Sequence, residues 1–161
     1  MNAVHDNQQV EQELWTLLEQ VKDPEIPVLS LRELGVLRDI QKTGDRLEIT
    51  ITPTYSGCPA MDVMRDDIKR LLGNSGYSNI KIRTKLSPAW TTDWMSDEAR
   101  KKLEEFGIAP PAHSSCVNQA IRCPRCATTR VSLLSEYGST ACKAMYRCDD
   151  CAETFCYFKQ I

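Results

Sequence analysis

Cys123-Pro-Arg-Cys126 and Cys148-Asp-Asp-Cys151 decide how the last part of this chain folds. Each Cys-x-x-Cys knuckle turns two sulfurs toward one centre, and the 21 residues between the knuckles allow a hairpin that lays one pair against the other. That gap is slightly longer than is usual in such ribbons. Four soft thiolates about 2.3 Å from an ion, with no oxygen donor among them, favour tetrahedral zinc, with iron as the competing ion. The segment also needs a metal. Residues 121–161 offer chiefly Val131, Leu133, Leu134, Tyr146, Phe155, Tyr157 and Phe158 for a core, too little apolar surface to fold unaided. Two redox-active or idle cysteine pairs are the alternative, but a redox Cys-x-x-Cys needs no second copy.

Outside the knuckles, either Cys142 or Cys156 could replace a knuckle cysteine or accept metal transiently; Cys142 is the candidate auxiliary thiol, and Cys156, between Phe155 and Tyr157, reads more simply as a buried apolar thiol. Cys116 reads as free and exposed. His5 and His113 lack a second ligand at useful spacing and read as surface or linker residues. The N-terminus has neither the basic start nor the apolar core of a signal peptide, and no run approaches the roughly 18–20 apolar residues of a membrane span. The expected location is therefore the cytoplasm, where reducing conditions direct eight cysteines to metal or thiol chemistry rather than to disulfides.

Charge is unevenly divided. The formal net charge is −2, with −4 in residues 1–112 and +2 in residues 113–161. Four thiolates on one divalent cation would add −2 to the latter and bring it near neutrality, so the footprint of a nucleic-acid-binding protein is weak. Such a ribbon would have to use Arg122, Arg125, Arg130, Lys143 and Arg147 on phosphates, with Tyr146 or Phe155 stacking on bases.

Upstream, the periodicities predict a small α+β domain of αββαβ(α) order with a mixed sheet, residues 1–107, joined by a linker at 108–120 to the ribbon at 121–161. Val10, Leu14, Leu17, Leu18 and Val21 mark an amphipathic helix over 8–22, with Asp6 and Gln9 able to cap it and Asp23-Pro24 ending it. Ser30 and Glu33 have capping-box spacing, and Gly35 suits a left-handed terminus. Strands are expected over Val36–Ile40 and Leu47–Thr52, turning at Thr43-Gly44-Asp45, with a third through Ile80, Ile82, Thr84 and Leu86. A second helix should start at Pro59 and stop at Gly73. A third, 97–106, should be capped by Ser96 and closed by Gly107, its charged residues including Arg100 forming a solvated face. Pro110-Pro111 and Ser114-Ser115 give the linker its composition. Trp90 and Trp94 suit an aromatic contact patch, or core packing for one of them.

Cys58 lies between Gly57 and Pro59, directly ahead of the second helix, where unpaired N–H groups favour thiolate over thiol. By position alone it reads equally as a small buried residue or as a reactive thiol. Gly57 suggests a loop whose backbone approaches something closely. Asp23 and Glu25, stiffened by Pro24 and Pro27, and Asp39 at a strand boundary read most simply as caps or solvated acids.

Asp23-Pro-Glu-Ile-Pro-Val-Leu-Ser-Leu-Arg-Glu-Leu-Gly-Val-Leu-Arg-Asp39 and Thr52-Pro-Thr-Tyr-Ser-Gly-Cys-Pro-Ala60 resemble the two signatures of the SufT-like iron-sulfur cluster maturation family over roughly residues 8–90. That resemblance implies a small α/β domain that helps deliver clusters, with iron or cluster transfer assigned to Cys58, Asp23 and Glu25. Trp90-Thr-Thr-Asp-Trp-Met-Ser96 and Gly138-Ser-Thr-Ala-Cys-Lys-Ala144 are similar to the D-component family of bacterial phenylacetyl-CoA epoxidase systems, which extends the resemblance over essentially the whole chain.

What this implies is an accessory protein of aerobic phenylacetate degradation with structural zinc and a transient iron or iron-sulfur cargo. It would mature the multicomponent monooxygenase through the iron-sulfur reductase or the di-iron oxygenase subunit, without turnover of its own. Two other readings are a non-catalytic structural subunit of the epoxidase and a nucleic-acid-binding ribbon. A homodimer joining two Cys58 loops would suit a bridging cluster. Against direct catalysis, the sequence has no Glu-x-x-His pair for a di-iron site, no dinucleotide fingerprint, no phosphate-cradling loop and no nucleophile with a histidine base.

Overall fold

A computed structural model describes residues 3–116 and 120–161, with side chains from residue 9 onward. The chain forms two compact units, Met1–Trp90 and Thr91–Ile161.

In the first unit, α1 (Ala3–Leu18) buries Leu14 and Leu18. It begins earlier and ends sooner than the expected 8–22. Gln9 lies within the helix rather than at its cap, and Asp6 and His5 fall outside the described side chains. The end is gradual: Gln20 and Val21 donate to Leu17 and Leu18 at i−3 spacing, so the coil tightens before Asp23-Pro24 forbids its continuation. Ser30 and Glu33 form the capping box. Glu33 Oε2 accepts from the Ser30 N–H at 2.8 Å, and Ser30 Oγ accepts from the Glu33 N–H at 3.1 Å. Gly35 (φ 76°) ends that turn as a Schellman motif, with Val36 N–H reaching Leu31 O at 2.9 Å and Gly35 N–H reaching Arg32 O at 3.0 Å.

The sheet runs β1-β2-β3, with β1 (Leu37–Thr43) antiparallel and β3 (Asn79–Thr84) parallel to the central β2 (Arg46–Ile51). Leu47, Ile49 and Ile51 are buried on one face, as period two requires. Thr43 pairs with Arg46 across a tight turn in which Gly44 is left-handed (φ 62°). β3 stops short of Leu86, which is 61% exposed. The helix α2 (Ala60–Asn74) sets Met61, Met64, Ile68 and Leu72 into the core. It passes through Gly73, where it was expected to stop. The stop is Gly76 (φ 92°), again a Schellman motif, with Tyr77 N–H on Leu72 O at 3.0 Å and Gly76 N–H on Gly73 O at 3.1 Å. Trp90 is core: its indole N–H donates to Leu34 O at 3.0 Å.

The second unit opens with a 3-10 turn (Thr92–Trp94) and α3 (Asp97–Glu105), whose Ser96 cap accepts from the Ala99 N–H at 3.0 Å. Trp94 is half-buried. Arg100 is not on the solvated face expected of it. It is buried, and its guanidinium donates to Thr92 O at 2.6 Å and to Pro111 O. Where a linker was expected from residue 108, β4 (Ile108–Ala109) pairs in parallel with β7 (Thr154–Phe158). The sheet order is β4-β7-β6-β5, with β5 (Val131–Ser135) and β6 (Lys143–Cys148) antiparallel. The division after Trp90 follows from this pairing, because Arg100 ties α3 to Thr92 and Pro111 and β4 joins the ribbon sheet. The protein is thus α+β, with a mixed sheet in one unit and a cysteine-bearing ribbon in the other.

Candidate functional site

The four knuckle cysteines converge. Cys148 ends β6 and Cys151 lies in the turn before β7, while Cys123 and Cys126 flank a turn ahead of β5. Each knuckle is held by its own backbone. Cys123 N–H donates to Thr128 O at 2.9 Å, and Cys148 N–H donates to Glu153 O at 2.8 Å. Each is followed by an alanine with φ 59°, Ala127 and Ala152, a left-handed residue that lets the chain turn back after delivering its sulfurs. The repeated Cys-x-x-Cys-Ala pattern carried that signal in the sequence.

All four sulfurs lie within 4.8 Å of one another. Cys123 Sγ is 3.7 Å from Cys151 Sγ, and Cys126 Sγ is 3.5 Å from Cys148 Sγ. Sulfurs placed tetrahedrally about 2.3 Å from one ion stand roughly 3.8 Å apart, so the spacing and the all-thiol donor set both fit zinc. Cys123 and Cys148 are fully buried, Cys151 half-buried and Cys126 exposed, so the centre is reached from one side.

The thiols are electrostatically tied. Cys148 is lowered to about 7, first by the Cys151 N–H that donates to its sulfur at 3.4 Å. For Cys126 the Thr128 N–H acts downward, but desolvation and the neighbouring thiols outweigh it and push the group up to about 12. Zinc uptake therefore displaces protons. Arg125, bonded to Glu153 at 2.7 Å, also feels Cys151 and Cys123, which places a cation where the thiolate charge collects. The ribbon centre is a structural four-cysteine zinc site.

The auxiliary thiol is placed elsewhere. Cys142 precedes β6 at the end opposite Cys148, buried and 3.0 Å from Thr140 Oγ1. It is not one of the four clustered sulfurs. Cys156 lies mid-β7 with its thiol 3.6 Å from Met145 Sδ, and Cys116 is exposed. His113 is a surface residue 3.2 Å from Asp97.

In the first unit, Asp23 is buried and Oδ1 accepts from the N–H groups of Glu25 and Ile26, both at 2.8 Å. It thereby builds the turn that carries Glu25, which is exposed. Asp23 also helps line a groove of about 410 Å³ with Lys22, Asp67 and Arg70; neither Glu25 nor Cys58 is among its lining residues. Cys58 is half-buried, its N–H on Tyr55 O and its carbonyl accepting from Met61 N–H, both at 3.3 Å, so it sits just ahead of α2 as expected. Gly57 is required by its φ of 84°, not by close approach, since a Cβ there would meet nothing within 4 Å.

Sequence comparison agrees with both units. Residues 11–78 match a family of iron-sulfur cluster assembly proteins, and residues 108–159 match the PaaD zinc beta ribbon domain. The ribbon match begins at the first residue of β4. The chain is 49% identical to a provisionally named D component of the 1,2-phenylacetyl-CoA epoxidase of Escherichia coli, over 92% of each chain. It is 33% identical to an Fe-S protein maturation auxiliary factor of Porphyromonas gingivalis, over 59% of this chain and 91% of that one. Among solved structures, a domain of unknown function from Bacillus anthracis aligns with a TM-score of 0.58 and 27% identity, over 62% of this chain and 96% of that one. The chain belongs to the PaaD family of phenylacetyl-CoA epoxidase components, in which an iron-sulfur assembly domain precedes a zinc ribbon.

Proposed function

We propose that this protein is an accessory maturation factor for the multicomponent phenylacetyl-CoA epoxidase of aerobic phenylacetate catabolism. The observation that carries the reading is the joining, in one chain, of an assembly domain shared with Fe-S maturation auxiliary factors to a ribbon characteristic of the epoxidase system. The first unit would handle iron or a cluster and the ribbon would recognise the client.

Cys58 is the proposed acceptor of iron or of a cluster in transit. It is a half-buried thiol in a short loop at a helix start, and such a site pairs access with shelter from oxidation. Glu25 is exposed on the turn that Asp23 builds, so Asp23 acts by positioning and Glu25 by offering a carboxylate. The proposed client is the iron-sulfur reductase or the di-iron oxygenase subunit, and no turnover of phenylacetyl-CoA is asked of this chain. No helix among the described residues is long and apolar enough to cross a membrane, and the protein is proposed to work in the cytoplasm.

The nucleic-acid reading is disfavoured. Arg125, one of the five cations it needs, is engaged by Glu153 at 2.7 Å, and four thiolates on a divalent ion would bring the ribbon's +2 close to zero.

Metal and labile-sulfide analysis of anaerobically purified protein tests the division of labour. Zinc should be stoichiometric in the wild type and in Cys58→Ser and absent from Cys123→Ser/Cys126→Ser. Iron captured from a donor should be lost in Cys58→Ser alone. Iron capture that survives Cys58→Ser would overturn the assignment.

A further inference from the structure

Among the described residues, the ribbon sheet ends on a strand that nothing covers. β5 is the edge of the β4-β7-β6-β5 sheet, so one side of its backbone makes no ladder. Leu133, Leu134 and Tyr137 are 51%, 54% and 63% exposed, three large apolar side chains within five residues. A register shift between Leu133 and Ser135 leaves Leu134 as the extra residue of a bulge in that edge strand. An exposed apolar edge strand associates unless something occupies it.

The charges at its ends identify the occupant. The strand and its flanks read Arg130-Val-Ser-Leu-Leu-Ser-Glu136. Arg130 is exposed at the start, beside Asp150 at 3.0 Å. The finish carries Glu136, with the Lys159 ammonium 3.1 Å from its carbonyl and 4.7 Å from the Tyr137 ring centroid. An antiparallel pairing of two copies about Leu133 sets Arg130 opposite the second copy's Glu136. It also brings the Asp150 end of one copy to the Lys159 end of the other. Arg130 and Asp150 of each copy then lie against Glu136 and Lys159 of the other, and Leu133 meets its counterpart at the centre with Leu134 opposite the second copy's Ser132, the self-complementarity that a two-fold interface demands.

We infer that β5 is an isologous dimer edge, its partner a second copy of this chain. The homodimer imagined from the sequence joined Cys58 loops; this one is built on the ribbon and leaves Cys58 unused. It does not depend on the maturation reading.

Sedimentation equilibrium of the zinc-loaded full chain across a hundredfold concentration range tests it, with zinc content as the control for folding. The expected result is a reversible dimer that Leu134→Glu weakens at least tenfold. Glu136→Arg should weaken it about fivefold, two exposed ion pairs being lost per dimer, and Arg130→Glu/Glu136→Arg should restore it. A monomer at every concentration, or a dimer indifferent to Leu134→Glu, would overturn the proposal. A dimer that the double charge swap does not restore would overturn the antiparallel register.

Discussion

The two units solve the same problem with different means. The first is held by apolar side chains: Leu14, Leu18, Leu29, Leu31, Leu47, Ile49, Ile51, Ile68 and Leu72 all have at most 1% of their surface exposed. In the ribbon, two of the metal ligands, Cys123 and Cys148, pack in one buried cluster with Ala109 and Phe155. Where the chain is long enough to bury a core, burial suffices. Where it is not, one ion replaces the core. Cys58, the thiol proposed for chemistry, lies outside the four clustered sulfurs, whereas the knuckle thiols are committed to them.

The largest expected effect tests that contrast at its root. Removing zinc with a chelator, or substituting Cys123→Ser/Cys126→Ser, should withdraw about 10–16 kcal/mol of apparent metal stabilisation and unfold residues 121–158. Hydrogen exchange should then rise throughout β5, β6 and β7 and stay unchanged in β1, β2 and α2. The reciprocal change is Ile49→Ala in the central strand. It should cost about 2–5 kcal/mol in the first unit, read by chemical denaturation, while zinc content stays at one per chain. Loss of zinc in that variant would break the separation.

Arg100 sharpens the comparison, because here the second unit relies on a buried cation rather than on metal. Arg100→Ala should destabilise it by about 2–4 kcal/mol in thermal melts, stripping the buried Pro111 carbonyl of its guanidinium donor and leaving that of Thr92 only the Met95 N–H, and Arg100→Lys should recover only part, lacking the fork that reaches both. The smallest effect belongs to the knuckles. Ala127→Gly and Ala152→Gly relieve a left-handed alanine and should each raise the ribbon's stability by about 0.5–1 kcal/mol.

What the sequence disclosed follows the range of the forces involved. The zinc ligands, the capping box at Ser30 and Glu33, the Ser96 cap, the left-handed Gly35 and the turn at Gly44 are set by a few neighbouring residues, and all are found where spacing places them. β4 was invisible because a two-residue strand beside Pro110-Pro111 exists only through its partner β7. Arg100 looked solvated because the carbonyls that bury it, Thr92 and Pro111, lie on either side of the helix in sequence. Gly73 offered a plausible stop, yet the helix continues to a second glycine three residues on, since the buried Leu72 holds that turn in place. At the candidate site, Asp23 shows a turn-building role that any Asp-Pro-Glu segment could play, and sequence could not rank it against a chemical one.

The central claim is that Cys58 serves a client. Its most direct test is the cluster and iron content of the epoxidase reductase and oxygenase subunits, isolated from cells lacking this protein and resupplied with either wild type or Cys58→Ser. The account predicts that wild type restores the deficient client and that Cys58→Ser, folded and carrying its zinc, does not. Full restoration by Cys58→Ser would contradict it and leave this protein a structural companion of the epoxidase.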